Sequence, residues 1–370
     1  MDADVAVVGA GPAGSSAAIR LSRLGWRVVL LDRASFPRRK PCGEYLNPGA
    51  VRALERLGLG PQVEVAGVRI HGILLSGPDG GSVWAPFPTG WGVLIPRIRL
   101  DHLLVQEAVR AGAELLEGFR VDAVIPGRTP QVVARSKART LRLRARLVIG
   151  ADGLHSVVAR TVHRGQLPLH PRTTVGAYFE GIAAQTPRGD LHVGPGWYVG
   201  AALYGRGRGN VVAALPTGIM REARDPSVAF ARACAELPVL RHLMRDARPM
   251  SPFVCVSPLG FAVRRAWAPG VLLVGDAAGT VDPMTGQGVE LALRGAELAG
   301  RYAHRFLQTQ DLRALVDYDR VRRRAFRRVW RASRWLQWGM RRPALARWFM
   351  GRLVEFPVLA AWLVGAVGGG

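Results

Sequence analysis

Val5-Ala6-Val7-Val8-Gly9-Ala10-Gly11-Pro12-Ala13-Gly14 is the stretch that decides the fold. Its four leading apolar residues read as a buried strand, and the glycine turn hands the chain to an alanine-rich helical stretch from Ser15 to Leu24. Gly25 breaks that helix, and Arg27 to Leu31 forms a second strand ending on Asp32, 18 residues after Gly14. Strand, GxGxxG turn, helix, strand and acid together make a dinucleotide-binding βαβ unit. Its glycines permit the tight turn and the approach of a diphosphate, and its acid receives ribose hydroxyls. The unit alone does not separate FAD from NAD.

Two further stretches share this grammar. Val271 to Val274 is a short apolar run after Pro269-Gly270, and the loop Gly275 to Gly288, GDAAGTVDPMTGQG, follows it. Val289 to Leu307 then repeats apolar residues at helical spacing. Glycines, a proline and two aspartates in such a loop bring backbone close to something polar, and the helix start aims free amides at an anion. Leu141 to Ile149 likewise ends on Gly150-Ala151-Asp152-Gly153-Leu154-His155-Ser156, before a helix from Ser156 to Val162.

At 370 residues the chain has room for two domains, or for one large domain with a second inserted. The formal charge of +24 is almost wholly arginine, since Lys40 and Lys137 are the only lysines. A basic surface favours anionic partners without choosing among nucleic acid, a membrane face and an acidic cofactor. Cys42, Cys234 and Cys255 have neither metal-type spacing nor a paired framework, so no metal is expected and a reducing compartment is. Met1-Asp2-Ala3-Asp4 is acidic where a signal peptide is basic, and no apolar run reaches the roughly 18 residues of a spanning helix.

Between these landmarks, Phe36 to Glu44 is a polar, proline-marked loop. Asn47 is placed to cap a helix from Gly49 to Leu57, Ile70 to Trp84 reads as a hairpin around Gly77-Pro78-Asp79-Gly80-Gly81, and Pro96-Arg97 opens an amphipathic helix from Leu100 to Ala111. Alternating segments run from Val121 to Val133. From Thr173 to Pro258, short β-type runs such as Val175 to Phe179, Trp197 to Leu203 and Asn210 to Ala214 predict an antiparallel sheet inserted into the nucleotide fold. Gly205 to Gly209 is a hairpin turn within it, and Asp225 to Leu243 one helix crossing it. Asp311 to Arg352 is helical, arginine-dense and carries Trp330, Trp335, Trp338 and Trp348. It reads either as a solvated basic helix pair or as an interfacial element resting on an anionic membrane. Pro357 to Val367 is apolar and too short to span, which suits a lid over a greasy pocket or a shallow anchor.

In their order and spacing the three glycine loops resemble the FAD-dependent oxidoreductases of the para-hydroxybenzoate hydroxylase fold. Within that group, Lys40-Pro41-Cys42-Gly43-Glu44 and Asp282 to Gly288 look most like the geranylgeranyl reductase family. The resemblance covers residues 1 to 310 and implies an α/β protein. Residues 1–70, 96–172 and 265–310 would form an FAD-binding Rossmann-like domain of the GR2 type. The hairpin 71–95 would join 173–264 in a substrate domain, with 311–370 as a C-terminal helical region. The resemblance further implies that Gly9, Gly11 and Gly14, with Pro12 and Ala13, sit against the FAD pyrophosphate, and that Asp32, beside Arg33, holds the adenosine ribose. Arg97 would lie near the cofactor and Asp152-Gly153 would support the pyrophosphate region. Gly275 and Asp276 would approach the pyrophosphate or ribityl chain, and Pro283, Gly286, Gln287, Gly288 and Val289 the isoalloxazine.

By the same resemblance Cys42 and Gly43 border the flavin and the substrate pocket. Cys42, with Arg39 and Lys40 near enough to favour a thiolate, is the candidate catalytic residue. Glu44 and His155 are set aside as acids, because lone Glu and His residues in loops are more often structural. Reductases of the family carry a Tyr-x-Trp-x-Phe-Pro element on the substrate sheet. Here Pro195-Gly196-Trp197-Tyr198-Val199 keeps only its aromatic character, and Trp197, Tyr198 and Tyr178 are expected to line the pocket.

The resulting reading is an oxidoreductase that holds FAD non-covalently and takes a hydrophobic, prenylated, isoprenoid or polyketide-like substrate. Hydride transfer from reduced FAD to a carbon–carbon double bond is the preferred reaction. A monooxygenase that hydroxylates through a flavin hydroperoxide is the alternative, and a halogenase is disfavoured because no Trp-x-Trp-x-Ile-Pro element is found. With no second strand-glycine-helix unit for a standing NAD(P)H domain, NAD(P)H or a protein reductant visits transiently. A basic membrane- or nucleic-acid-binding module would explain the charge but leave three nucleotide motifs idle, so nucleic acid is not expected. A cytoplasmic location, with peripheral contact to an anionic membrane through the C-terminal region, completes the expectation.

Overall fold

In the computed structural model Asp2–Val8 is the middle strand of the five-stranded parallel part of a mixed sheet, to which Arg120–Ile125, Gln131–Arg135 and Trp267–Ala268 add antiparallel. The order of the parallel part is Val271–Leu273, Thr140–Gly150, Asp2–Val8, Val28–Leu31 and Glu114–Leu116. The structure describes residues 2–162, 167–168, 172–257, 259–280 and 282–367; Pro258 and Val281, inside two stretches read above, lie outside the described residues. Val5, Val7, Leu30, Leu147 and Leu272 are fully buried, as in parallel strands covered on both faces. Parallel pairing also levels the carboxyl ends of the strands: Val8 pairs with Gly150 and Leu31, and Gly150 with Leu273. The three glycine loops therefore meet at one edge of the sheet, where such sheets bind ligands.

Helix Pro12–Arg23 packs on Gly288–Thr309 and on Arg97–Arg110. Gly14 makes its first turn possible, because a Cβ there would stand 1.8 Å from the Gly9 carbonyl oxygen. Asn47 caps helix Pro48–Glu55 by accepting from Ala50 N at 2.8 Å. Its amide also donates to Glu290 Oε2 at 2.7 Å, which ties that helix to Gly288–Thr309.

A second sheet has the order Arg248–Pro249, Arg172–Glu180, Arg208–Pro216, Tyr198–Gly205, Arg188–Val193, Gly72–Ser76 and Ser82–Pro86. Neighbours are antiparallel except Arg188–Val193 beside Gly72–Ser76. The hairpin around residues 77–81 thus extends the sheet built by residues 172–256. Gly205 and Gly207, both at positive φ, turn the chain between Tyr198–Gly205 and Arg208–Pro216. Val175, Phe179, Val199, Leu203 and Val211 bury one face in a core shared with Phe230 and Leu240. Those two residues belong to helices Pro226–Glu236 and Pro238–Leu243, which correct one expectation. Asp225 to Leu243 is not a single helix: Pro238 has no N–H to continue the ladder, and Leu237 is extended between the two. The opposite face looks across a cavity towards the glycine loops. Helices Arg313–Met340, Pro343–Glu355 and Pro357–Val367 close that cavity from the side.

Candidate active site

Gly9, Gly11, Pro12, Ala13, Asp32 and Arg33 line one end of this cavity, whose volume is about 1390 Å³. Gly9 takes φ +99°, and a Cβ on it would meet the Ala151 carbonyl oxygen at 2.5 Å, so two strand-end loops pack backbone on backbone. Asp32 fixes the turn: Oδ2 accepts from Ala10 N at 2.8 Å and Oδ1 from Ala34 N at 2.9 Å. Asp152 is engaged in the same way, accepting from Ser156 Oγ at 2.5 Å and Val157 N at 2.6 Å. Burial raises its carboxyl pKa against those bonds. Asp152 and Gly153 both reach the cavity wall.

Next to this end stands a knot of charge. Arg97 makes a two-point pair with buried Asp101, at 2.8 and 2.9 Å, and Arg38 Nη1 lies 3.2 Å from the same carboxylate. Lys40 is drawn below its ordinary pKa, first by burial and then by Arg97, with Asp276 and Asp101 opposing. Asp32 Oδ2 also stands 3.8 Å from Arg38 Nη2, and the guanidinium and ammonium donors gathered in this wall suit a diphosphate. Arg97 is also the cation set against the Cys42 side chain, where the sequence offered Arg39 and Lys40. The Cys42 carbonyl accepts from Asn210 Nδ2 of the second sheet at 2.5 Å.

The loop after Val271–Leu273 forms two short 3-10 turns, Gly275–Ala278 and Pro283–Thr285, before helix Gly288–Thr309. Gly275, Asp276, Pro283, Gly286, Gly288 and Val289 face the cavity, whereas Gln287 is buried behind them at the helix start. Asp282 anchors the loop to the second sheet. Its Oδ2 accepts from Arg172 Nη1 at 2.8 Å, and its Oδ1 from Tyr198 Oη at 2.5 Å and Met284 N at 3.0 Å. Arg172 also donates to the Gly196 carbonyl at 3.1 Å.

Beyond that loop the cavity turns apolar. Leu191, Val193, Tyr198, Gly200, Val212 and Ala214 supply its sheet wall, and Met340, Met350, Leu353, Leu363 and Val364 its helical wall. In register, Leu191, Gly200 and Val212 form one row across the strands, and a Cβ on Gly200 would stand in open space. Trp197, expected at the pocket, is instead packed in the opposite core with Val199 and Leu203, its ring over Gly194. Successive residues of a strand project to opposite faces, so Tyr198 reaches the cavity and Trp197 cannot.

Residues 2–333 match the FAD binding domain family. The chain belongs to that family. The flavoprotein is 32% identical over 337 residues to a menaquinone reductase of Mycobacterium tuberculosis, spanning 85% of this chain and 78% of that protein. It is 33% identical over 325 residues to digeranylgeranylglycerophospholipid reductase 2 of Methanopyrus kandleri, with 85% and 80% covered. Among solved structures, the flavin-dependent brominase Bmp2 superposes with a TM-score of 0.88 over 100% of this chain and 94% of that one; at 18% identity this likeness concerns the fold. The flavoprotein is thus an FAD-dependent oxidoreductase of the para-hydroxybenzoate hydroxylase fold, and the resemblance read from its motifs holds.

The residues present fit FAD. Cβ atoms on Gly43 and Gly288 would stand in open space, and one on Gly11 would meet only Arg38 Nη2 at 3.7 Å, so backbone there is open to a ligand. Gly14 stands behind the turn, against Gly9, and its place is in helix packing rather than in the cavity wall.

Glu44, set aside in the sequence, is the main addition. Its Oε1 accepts from Tyr178 Oη and, at 2.9 Å, from Arg97 N; its Oε2 accepts from Tyr204 Oη at 2.6 Å. Burial raises its pKa, with the bonds from Tyr178, Tyr204 and Arg97 N opposing. It is 2% exposed, faces the cavity and holds φ +56°, a conformation that favours glycine. Its place directly after Cys42-Gly43 was the one signal available. Arg172, Asp282 and Tyr204 carried none, because their partners lie far away in the chain. His155 lies on the cavity rim.

Proposed function

We propose that this flavoprotein saturates a carbon–carbon double bond of a long isoprenoid lipid. The observation that carries the reading is the cavity itself, which runs unbroken from the glycines of the cofactor end to an apolar end between sheet and C-terminal helices. An elongated apolar substrate fits such a space with its reactive bond at the Gly286–Val289 loop. The reductase names and 32% and 33% identities of the relatives support this choice.

Bound FAD, once reduced by NAD(P)H or a protein donor, supplies a hydride to one carbon of the bond. The chain's own residues do the rest. Amides at the start of helix Gly288–Thr309 stabilise negative charge at the loop, through the positive end of the helix dipole. Rows Leu191–Gly200–Val212 and Val193–Tyr198–Ala214 align the prenyl chain and keep water out. Glu44 and Tyr204, hydrogen-bonded and mostly shielded, hold a proton for the second carbon. Cys42, fixed by Arg97 and Asn210, shapes the wall between loop and substrate.

Anaerobic single turnover tests the reading. FAD-loaded protein reduced with dithionite and mixed with a polyprenyl lipid should regain oxidised flavin absorbance while the lipid gains two hydrogens by mass spectrometry. An unsaturated lipid left intact, or an oxygenated product once air is admitted, would replace this reading with the monooxygenase one.

A further inference from the structure

The C-terminal helices present a surface that the folded chain leaves uncovered. Val358 is 80% exposed, Trp362 and Trp335 67%, and Trp348 59%, values ordinary for charged residues and not for large apolar ones. Phe356 and Leu359 extend the patch. Helices Pro343–Glu355 and Pro357–Val367 meet at a bend of 110°, forming an elbow. Among the described residues no single helix is long and apolar enough to cross a membrane. An elbow that turns aromatic and aliphatic side chains outward suits the boundary between headgroups and acyl chains, where indoles settle.

Charge selects the kind of surface. Twelve arginines and no acidic residue stand between Asp319 and Glu355. Arg342 lies over the Trp338 ring at 3.9 Å, placing a cation at the edge of the indole patch. Arg322 is buried and Arg320, Arg323 and Arg352 pair with acids at the ends of the run, which leaves the exposed arginines of the acid-free middle to complement anionic headgroups. The cavity supplies an independent observation: Trp335, Trp338 and Trp362 belong both to the exposed patch and to the cavity wall. The cavity thus opens within the patch, beside side chains that would sit among lipid.

We propose that this elbow docks on a bilayer bearing anionic phospholipid and that the cavity loads its substrate through the Trp335–Trp338–Trp362 mouth directly from the lipid phase. The docking rests on the surface alone; the loading rests on the isoprenoid reading above.

The full chain with FAD bound is sedimented with sucrose-loaded vesicles of phosphatidylcholine, with and without phosphatidylglycerol. It should bind the phosphatidylglycerol vesicles, and high salt should weaken that binding. The triple variant Trp348→Ser, Val358→Ser, Leu359→Ser, none of whose positions lines the cavity, should bind about tenfold less or worse while keeping its FAD. As a second measurement on the unaltered chain, phosphatidylglycerol with brominated acyl chains should quench tryptophan emission. Equal binding to both vesicles, no binding, no quenching, or a folded triple variant that still binds would each overturn the docking. Concentration-dependent dimers that hide the patch from vesicles would do the same. If docking holds, the triple variant should reduce vesicle-embedded polyprenyl lipid slowly and a short soluble prenyl alcohol at the normal rate; equal loss on both would overturn the loading. Failure of the wild-type chain on both substrates would instead strike the reductase reading and leave the binding result standing.

Discussion

Glu44 shows how much one side chain can carry. Glu44 faces the cavity, shares hydrogen bonds with two tyrosine hydroxyls and is kept above its ordinary pKa by burial, and in the proposed reaction its protonated carboxyl would be the donor. Its protonated form is the working one, so turnover should fall as pH rises through its folded pKa. Glu44→Gln should keep FAD, lose about 10²-fold or more in anaerobic flavin reoxidation by the lipid, and lose that pH dependence. Gly200 gives the complementary prediction. The open space beside it lies in the row Leu191–Gly200–Val212, so Gly200→Phe should fill the apolar end. Prenyl-lipid turnover should drop at least about tenfold, with FAD content and thermal stability near those of the parent. Local motifs were readable from the sequence: the glycine turn at Gly9, the strand-end acid Asp32 and the Asn47 cap on Ala50 each announce themselves in contiguous residues, even though Gly9 and Asn47 also meet Ala151 and Glu290 far along the chain. Glu44 and Asp282 were not, because Tyr204 and Arg172 reach them only after two sheets have been built. Trp197 was misread for a smaller reason: its motif groups it with Tyr198, whereas strand alternation sends the two neighbours to opposite faces.

Among the elements, the paired strands Gly72–Ser76 and Arg188–Val193 bury an unusual polar row. His192 Nδ1 lies 2.7 Å from Ser76 Oγ, and its Nε2 3.7 Å from Asp190 Oδ2. Burial pushes Asp190 up to about 6, with Arg188 opposing, and pushes His192 down to about 3. The two groups act on stability with opposite signs. Asp190, raised from 3.8, contributes fully below that value and loses its contribution as pH climbs through about 6. His192, lowered from 6.5, contributes above that value and loses its contribution as pH falls towards about 3. Asp190→Asn removes the first and leaves the second. Urea denaturation should then show stability rising more steeply with pH between about 4 and 6, by up to about 3 kcal/mol across that window. An unchanged slope would mean that the row does not titrate as its burial dictates. The element boundaries that sequence periodicity missed have equally local causes: Pro238 splits one expected helix, and the short helix Gly60–Ala66 offers too few turns for a pattern.

At the scale of the molecule, one cofactor would bridge three loops that the sequence spreads from Gly9 to Val289. FAD binds the folded arrangement of those loops and not the separated chain, so it should raise apparent stability by mass action. At free FAD about 1,000 times its Kd the gain is about 4 kcal/mol, visible as a melting temperature that climbs with FAD concentration. A melting temperature indifferent to FAD would show that the loops are not brought together by it. The broad architecture was legible because parallel strands and their glycine turns are written in contiguous sequence. The cavity was not, since its walls come from the second sheet and the last helices, and its continuity exists only once both are packed.

Asp282 links those two halves. Held by Arg172 and Tyr198 of the second sheet, it sits in the loop that carries the amides at Gly286 to Val289. On the proposed reading a substrate that presses on Tyr198 would act through Asp282 on the Gly286 to Val289 backbone, and any shift this makes in the flavin potential must, by thermodynamic reciprocity, return as a dependence of substrate affinity on the flavin's electron count. Redox titration should find a flavin midpoint potential that moves when lipid binds, and Tyr198→Phe should shrink that movement while FAD stays bound. The latch would make the protein hold its lipid with one strength before it is charged with electrons and with another after it has spent them.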